Sequence, residues 1–314
     1  MEKETIDVLV PVYNSAPYLE KCLTSILTQT YKNIRVVIVD DASTDGSGEI
    51  IKKLQDKFSN IEYYVRVGDK GISKARNFLL EKITSKYFTF FDSDDYAEPT
   101  YLETMYNLMK AYNVDMALCG KIRHSEFKEV NAEKYNKNPS VILMVQEEAI
   151  AEMFSTKMFN GTVYCKLFKT SLLGDAKFNE NYFYGEDLDF CFKAMQNCKS
   201  FALSTARLYH YLSRKGSIVT SKFNEKKLTC LDCYDSIIEK VKDNPGLEIC
   251  AKAMQGLIAV ELLYYTFRDK YKDKTVKTQL KTLIKQSLPY IKQNKRLSRL
   301  HRSVRYVWWL SKIM

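Results

Sequence analysis

Two groups of acidic residues follow apolar runs that have the pattern of buried strands. Asp40-Asp41 follows the second such run, and Asp92-Ser93-Asp94-Asp95 follows the fourth. Neighbouring carboxylates repel one another unless a cation or a hydrogen-bond donor compensates their charge, and oxygen-rich clusters suit Mg²⁺ or Mn²⁺. The alternative is a solvated acidic turn in which Asp and Ser cap the next helix. Three acids in four residues after a buried strand favour the metal site.

The runs that carry these acids belong to a regular alternation of strands and helices over the first 120 residues. The predicted strands lie at Ile6–Val12, Ile34–Val39, Ile61–Val67, Tyr87–Phe91 and Val114–Leu118, with amphipathic helices between them. This order predicts an α/β fold with a doubly wound, mostly parallel sheet. Ligands bind such sheets at the carboxyl ends of the strands, which is where the acids lie.

The pattern changes twice after the alternating region. Residues 121–145 lose the alternation and are rich in Lys, Glu and Asn, so we expect an excursion from the sheet there. From about residue 223 the pattern is helical, with roughly four helices to the end. We therefore predict one domain at 1–220 and a helical C-terminal region at 221–314.

A series of short motifs in the first domain resembles the family 2 glycosyltransferases. The motifs are VLVPVYN at 8–14, SILTQTY at 25–31, VDDASTDGS at 39–47, GISKARN at 71–77, FDSDD at 91–95, KLF at 166–168 and GED at 185–187. Each is short, but their ordered succession over about residues 5–220 is specific. The resemblance implies a GT-A fold, an inverting transferase of the bacterial surface polysaccharide or teichoic acid type, and a catalytic domain at 1–220.

The resemblance also implies where a nucleotide-sugar donor would bind. Pro11 and Tyr13 would flank the base, which is uracil in most members, and Asp41 would accept a hydrogen bond from the base N–H. For Tyr13 the alternative is a core aromatic residue. Lys74 and Arg76, at the start of a helix, would add positive charge near the donor. For Lys74 the alternative is a solvated helix face.

The FDSDD motif corresponds to the family's metal-binding motif. Asp94 would hold the Mn²⁺ or Mg²⁺ that bridges the donor phosphates, and Asp92 would face the ribose or a metal-bound water. His210 would be a metal ligand or a phosphate contact, and its alternative is a hydrogen-bonded core histidine. The family more often has a basic residue after the aromatic pair that includes His210, where this chain has Leu212. That difference leaves the role of Arg214 open.

The family places its general base at the Asp of the GED motif. Asp187 would therefore take the proton from an acceptor hydroxyl, and Glu186 would contact acceptor or donor hydroxyls. The alternative is that both acids simply favour the dipole at the start of a helix. One base opposite the leaving group implies a single displacement that inverts the anomeric carbon. The implied reaction moves a hexosyl or N-acetylhexosaminyl group from a UDP-sugar to a glycan or lipid-linked acceptor.

Two other functional classes compete with this interpretation. A nucleotidyltransferase would also use clustered acids and a divalent metal, but it usually carries a glycine-rich phosphate loop where this chain has Pro11-Val12-Tyr13-Asn14. A non-catalytic glycan- or nucleotide-binding protein would not need Asp92, Asp94 and Asp187 together. The chain has no recognisable nucleic-acid-binding motif, so we expect no nucleic-acid partner.

The positive charge is concentrated at the C-terminal end. The chain carries +10 overall, while its last 41 residues contain 11 basic residues and no acid. Residues 294–314 combine an Arg-rich face with a Leu, Val and Trp face, a pattern typical of helices that lie in a membrane interface. The alternative is a terminal helix packed on its own domain.

The same residues set expectations about location and assembly. The N-terminal residues lack the pattern of a secretory signal, and the eight scattered cysteines fit a reducing cytoplasm. The single CxxC pair, Cys230 and Cys233, is interpreted as two thiols on one helix face, with a zinc site as the alternative. We expect a cytoplasmic protein at the inner face of the cell membrane, and the C-terminal helices could support a homo-oligomer.

Overall fold

The computed structural model describes residues 4–124, 132–155, 158–214 and 221–294. The strands are β1 (Ile6–Val12), β2 (Ile34–Asp40), β3 (Ile61–Val65), β4 (Tyr87–Phe90), β5 (Tyr96–Ala97), β6 (Met116–His124), β7 (Val141–Val145), β8 (Lys166–Lys169) and β9 (Ser200–Leu212). The α-helices are α1 (Ala16–Leu27), α2 (Ser47–Gln55), α3 (Ile72–Glu81), α4 (Tyr101–Ala111), α5 (Gln146–Ser155), α6 (Glu186–Gln196), α7 (Thr229–Val241), α8 (Pro245–Arg268) and α9 (Lys274–Gln293).

All nine of these strands form one sheet, in the order β3-β2-β1-β4-β8-β6-β9-β5, with β7 also paired to β9. Strands β3, β2, β1 and β4 are parallel, and β6 is parallel to β9. Strand β8 runs antiparallel between β4 and β6. The predicted fold class, a mostly parallel α/β sheet followed by C-terminal helices, is confirmed.

Strands β1 and β2 are buried on both faces of the sheet. Every residue of β1 is buried, and only Arg35 in β2 is partly exposed. A strand covered on both faces reads as an almost continuous apolar run, which is why these two strands were predicted correctly. Their carboxyl ends therefore have fixed positions at one edge of the sheet.

The sheet extends further than the sequence indicated. Strand β6 continues through His124, and β7 lies within the region expected to leave the sheet. In β7, Val141, Leu143 and Val145 are exposed and Met144 is buried. The sequence of β7, VILMV, is a short continuous apolar run, but the Lys, Glu and Asn residues before it dominate the composition of residues 121–145. The two-residue strand β5 is too short to show any pattern.

The chain divides into two compact units. The first contains Met1–Gln146, Thr162–Glu180 and Lys193–Arg214, and the second contains Glu147–Gly161, Asn181–Phe192 and Lys215–Met314. The boundary that we predict at residue 220 stays a prediction. In the second unit, α8 and α9 pack around a core that includes Leu262, Leu263 and Ile284.

The eight cysteines are all buried and none forms a disulfide. Cys230 and Cys233 lie on α7 one helical turn apart, as the simpler interpretation of the CxxC pair predicts. No helix in the described part of the chain is both long and apolar enough to cross a membrane. The membrane-contact prediction falls on residues 294–314, of which 295–314 lie outside the described residues.

A buried carboxylate fixes the amino-terminal edge of the sheet. Asp7 in β1 is fully buried, and its two oxygens accept hydrogen bonds from Arg35, from the Ser85 hydroxyl and from the backbone N–H groups of Thr84 and Ser85. Burial alone would raise the pKa of Asp7, but these donors outweigh it and hold the pKa below its usual value. The cluster ties β1, β2 and the turn before β4 together.

Replacing Asp7 with Ala should therefore destabilise the protein strongly. The substitution leaves buried donors without an acceptor, and the loss of one partner from a buried ion pair costs about 3–5 kcal/mol. Urea unfolding followed by circular dichroism measures the change. The control is Glu62→Ala, which removes the more exposed carboxylate on Arg35 and should cost no more than about 1 kcal/mol. Equal effects of the two substitutions would contradict this role for Asp7.

Candidate functional site

Three loops meet at the carboxyl ends of β1, β2 and β4. The hydroxyls of Ser15 and Ser93 are 2.7 Å apart, the Ser15 N–H donates to Ser47 Oγ at 3.0 Å, and the Ala16 N–H donates to Asp45 Oδ2 at 2.9 Å. These contacts join residues far apart in sequence into one surface. The acidic residues at this surface therefore occupy defined positions.

Asp41 lies just after β2 and is almost completely buried. Its Oδ1 accepts a hydrogen bond from Arg66 at 2.5 Å, and its Oδ2 accepts one from the Gly71 N–H at 2.7 Å. Each carboxylate oxygen can accept a further hydrogen bond, so Asp41 keeps the capacity to bind a ligand N–H. The predicted acceptor is therefore held rigidly by two donors.

Tyr13 lies directly after β1 and is half exposed, at 50% of its surface. The alternative interpretation of Tyr13 as a core aromatic residue is therefore wrong. The ammonium of Lys70 lies 4.7 Å from the centre of its ring, while Pro11 is buried within β1. An exposed ring beside a buried acceptor is suited to stacking on a flat ligand.

Arg66 contributes to this region although the sequence analysis did not identify it. It follows the last residue of β3 and pairs with Asp41 from the next strand in the sheet. The available signal was its position, because a basic residue at the carboxyl end of a parallel strand lies at the same edge as the acids of its neighbours.

Each acid of the predicted metal-binding motif is compensated differently. Asp92 Oδ1 lies 3.1 Å from Nη2 of the buried Arg76, and Asp94 Oδ2 lies 2.5 Å from Nε of Arg214. Burial together with the charges of Asp92 and Asp94 raises the pKa of Asp95 well above its usual value. Asp95 accepts a hydrogen bond from the Leu212 N–H through Oδ1, while its Oδ2 has no hydrogen-bond partner among the described residues. The structure thus joins Asp92 and Asp94 to Arg76 and Arg214.

The donor atoms at this strand end fit a magnesium or manganese ion that is bound together with a substrate. No group of three or more His, Cys, Asp or Glu side chains within the described ranges is arranged as a complete metal cage. Mg²⁺ commonly uses one or two carboxylates and fills its remaining positions with water and substrate phosphates. Two neighbouring carboxylates, Asp92 and Asp94, match that requirement, whereas they would not satisfy a structural zinc site.

Lys74 and Arg76, which both lie in the first turns of α3, differ in their surroundings. Lys74 pairs with the carboxylate of the exposed Asp69, whereas Arg76 is buried and also lies over the ring of Phe178 at 5.4 Å.

 Arg76 is thus distinguished from Lys74 by its burial and by its contact with Asp92. That Lys74 and Arg76 supply positive charge near the donor stays a prediction.

His210 in β9 belongs to a buried chain of hydrogen-bonded side chains. Its Nδ1 lies 2.8 Å from Nε2 of His124, its Nε2 lies 2.6 Å from Oε1 of Glu98, and its ring stacks on Tyr96 at 4.2 Å. Both ring nitrogens are thus engaged, so a metal at His210 would have to displace one of these partners. This geometry matches the alternative of a hydrogen-bonded core histidine, and the sequence analysis missed His124.

The second unit contains the predicted base and its neighbour. Helix α6 begins at Glu186, which is buried, and Asp187 is partly exposed. Gly185 before them has φ +103°, and a Cβ there would lie 3.0 Å from Cα of Cys230. Only glycine fits this turn, which fixes where the first turn of α6 begins.

Clustered carboxylates at the carboxyl edge of a mostly parallel α/β sheet define a protein of the nucleotide-binding α/β class. Within that class, the family model "Glycosyl transferase family 2" matches residues 7–175, which is more than half of the chain. The chain therefore belongs to glycosyl transferase family 2, and the resemblance seen in its motifs is confirmed.

Two relatives and one solved structure illustrate the similarity. Glycosyltransferase GlyA of Streptococcus pneumoniae is 36% identical over 253 residues, which cover 76% of this chain and 34% of GlyA. Poly(ribitol-phosphate) beta-glucosyltransferase of Bacillus spizizenii is 30% identical over 67% of this chain and 32% of that enzyme. This chain thus spans about a third of the length of each. S. aureus TarS 1-349 in complex with UDP-GlcNAc has a TM-score of 0.67 at 21% identity, covering 91% of this chain and 81% of TarS 1-349, which shows the shared fold.

The buried histidine pair should make stability depend on pH. Burial lowers the pKa of both His124 and His210 below the usual value of 6.5, although Glu98 acts in the opposite direction on His210 and Lys21 adds to the lowering. As the pH falls through 6.5, the unfolded chain gains protons that the folded protein resists, so stability falls. Tyr96, stacked on His210, is uncharged throughout this range, and burial raises its pKa further above its usual value.

We expect His210→Gln to flatten this dependence between pH 7.5 and 5.5, while lowering stability at pH 7.5 through the loss of a buried hydrogen bond. Thermal unfolding at several pH values measures both effects, and His124→Gln should flatten the profile in the same direction. An unchanged slope in both variants would contradict the assignment.

Proposed function

We propose that this protein transfers a sugar from a UDP-sugar to a hydroxyl group of a glycan or lipid-linked acceptor. The observation that carries the proposal is the pair Asp92 and Asp94 at the end of β4, held beside Arg76 and Arg214. These residues combine the carboxylates that a divalent cation needs with the guanidinium groups that suit phosphate oxygens.

The loops after β1 and β2 would bind the nucleotide. Tyr13 and Pro11 would flank the uracil ring, with Tyr13 stacked on it, and Asp41 would accept a hydrogen bond from the base N–H. The support is that Tyr13 is exposed while Asp41 is oriented by Arg66 and the Gly71 N–H. A preoriented acceptor loses little freedom on binding, which favours recognition of the base.

Asp94 and Asp92 would hold Mn²⁺ or Mg²⁺ against the donor diphosphate. When bound there, the cation would neutralise the charge that develops on the leaving diphosphate. Arg214 pairs with Asp94 in the described structure, so we propose that it transfers its hydrogen bonds to phosphate oxygens when the donor binds. Arg76 would keep Asp92 in place, because it is buried beside that carboxylate.

Asp187 would act as the general base in this proposal. It would take the proton of the acceptor hydroxyl as the oxygen attacks the anomeric carbon, and the bond to the diphosphate would break on the opposite side. One displacement inverts the anomeric configuration. The support is the match of the GED motif together with the fixed turn at Gly185, which sets the start of α6.

The relatives narrow the class of sugar and acceptor. One relative is named as a beta-glucosyltransferase acting on poly(ribitol-phosphate), and the TarS structure contains UDP-GlcNAc. These names support a hexosyl or N-acetylhexosaminyl group as the transferred sugar, and a cell-envelope polymer as the acceptor.

Replacing Asp94 with Asn should abolish most donor cleavage. Slow hydrolysis of a panel of nucleotide sugars with Mn²⁺ should release UDP from one donor, and chelation should stop it. Removal of one charge-stabilising group from such a site lowers the rate by about 100-fold or more. The matched control is Asp56→Asn at the end of α2, an exposed acid that should leave the rate unchanged. If the native chain neither releases a nucleotide nor binds UDP with Mn²⁺ in calorimetry, the assignment of the donor site is wrong.

Asp187→Asn should separate acceptor chemistry from donor binding. We expect transfer to an acceptor to fall by about 10²–10⁴-fold, the range for loss of a general base, while the affinity for UDP changes little. Transfer assays and calorimetry on the same preparation measure the two quantities. Native transfer rates in Asp187→Asn would show that another group takes the proton.

A further inference from the structure

A group of cationic and aromatic side chains occupies one face of β6 and β9. Lys121 pairs in register with Tyr209, and Arg123 pairs with Tyr211, so these alternate residues share a face of the sheet. Tyr164 packs against the same face. We call Lys121, Arg123, Tyr164 and Tyr211 the cationic-aromatic cluster.

The two basic groups of the cluster are held by aromatic rings. Nζ of Lys121 donates a hydrogen bond to the Tyr164 hydroxyl at 2.7 Å and lies 4.7 Å and 5.3 Å from the ring centres of Tyr164 and Tyr211. The guanidinium of Arg123 lies 5.8 Å from the ring centre of Tyr211 and donates to Ser213 Oγ. The rings therefore fix both cations in a small area.

Neither basic side chain forms an ion pair with a carboxylate among the described residues. Burial lowers the pKa of Lys121, because its ammonium is only partly hydrated. Contact with an aromatic ring is worth about 0.5–2 kcal/mol, but it leaves the positive charge uncompensated. An anionic ligand beside Lys121 and Arg123 would supply the missing charge, and the exposed Arg123 makes the cluster accessible from solvent.

The cluster adjoins the proposed metal-binding segment. Tyr164 stacks on Tyr209 with ring centres 4.7 Å apart, and the Tyr209 hydroxyl accepts a hydrogen bond from the Asp92 N–H. In the sheet, β6 and β9 lie on one side of β4, whereas β1, β2 and β3, which carry the proposed nucleotide site, lie on the other. A ligand at the cluster would therefore reach Asp92 from the side opposite the nucleotide.

We propose that the cationic-aromatic cluster binds a phosphate group of the acceptor. The inference rests on the proposed transferase function and deepens it, because it assigns the acceptor to the class of phosphate-bearing polymers. Lys121 and Arg123 donate to the phosphate oxygens, and the partly exposed ring of Tyr211 supports the adjoining sugar or polyol. The donor diphosphate has the same chemistry, so the test compares the two sources.

The test is calorimetry on the full chain with a synthetic glycerol phosphate trimer, titrated both without nucleotide and with UDP and Mn²⁺ present. Maltotriose serves as the uncharged comparison. Lys121→Met should weaken binding of the trimer by about 10- to 100-fold, the range for a lost hydrogen bond to a charged group. Lys121→Arg keeps the charge and should retain most of the affinity. The matched control is Lys52→Met on the exposed face of α2, which should bind as the native chain does.

The affinity for UDP distinguishes the possible outcomes. The proposal requires that Lys121→Met leave UDP binding within about twofold of the native value and that the variant still unfold cooperatively on heating. An equal loss for UDP and the trimer would overturn it, because Lys121 would then serve the donor diphosphate. UDP binding by a native chain that does not bind the trimer would overturn it while leaving the transferase proposal intact. Trimer binding that depends on Lys121 in a chain that does not bind UDP would instead retain the anion site and contradict the transferase proposal.

Discussion

Asp41, Asp92, Asp94 and Asp95 crowd one edge of the sheet, and their mutual repulsion determines what the surrounding residues must supply. Each is compensated separately: Asp41, Asp92 and Asp94 by an arginine, and Asp95 by a raised pKa that favours its neutral form. Without these compensations the folded state would hold several uncompensated charges in a partly buried region. The arrangement is also suited to exchange, because a cation and a phosphate can replace contacts that the arginines now make.

Much of the sheet could be predicted because strands such as β1 and β2 are buried on both faces. The acids at their ends could be placed at one edge for the same reason. Their partners could not, because Arg66 and Arg214 meet Asp41 and Asp94 only through the folded topology. Sequence periodicity reports burial along an element, whereas it does not report which distant side chain completes an ion pair. Strand β7 escaped prediction because its five apolar residues end a region that is otherwise rich in Lys, Glu and Asn.

The two faces of β9 show how alternation along one strand separates two environments. On one face His210 belongs to a buried chain with His124 and Glu98, in which each ring nitrogen has a partner. On the other face Tyr209 and Tyr211 meet cations and the strand end that carries Asp92. A histidine and two tyrosines that look like one motif in the sequence therefore have different physical roles.

The burial of every cysteine provides internal reporters for local opening. Four of them, Cys22, Cys119, Cys165 and Cys198, lie in the first unit, and Cys191, Cys230, Cys233 and Cys250 lie in the second. A buried thiol reacts with an alkylating reagent only when its surroundings open, so the labelling rate of each cysteine measures the free energy of that opening. Pulse alkylation read by mass spectrometry could therefore compare the cooperativity of the two units without any introduced label.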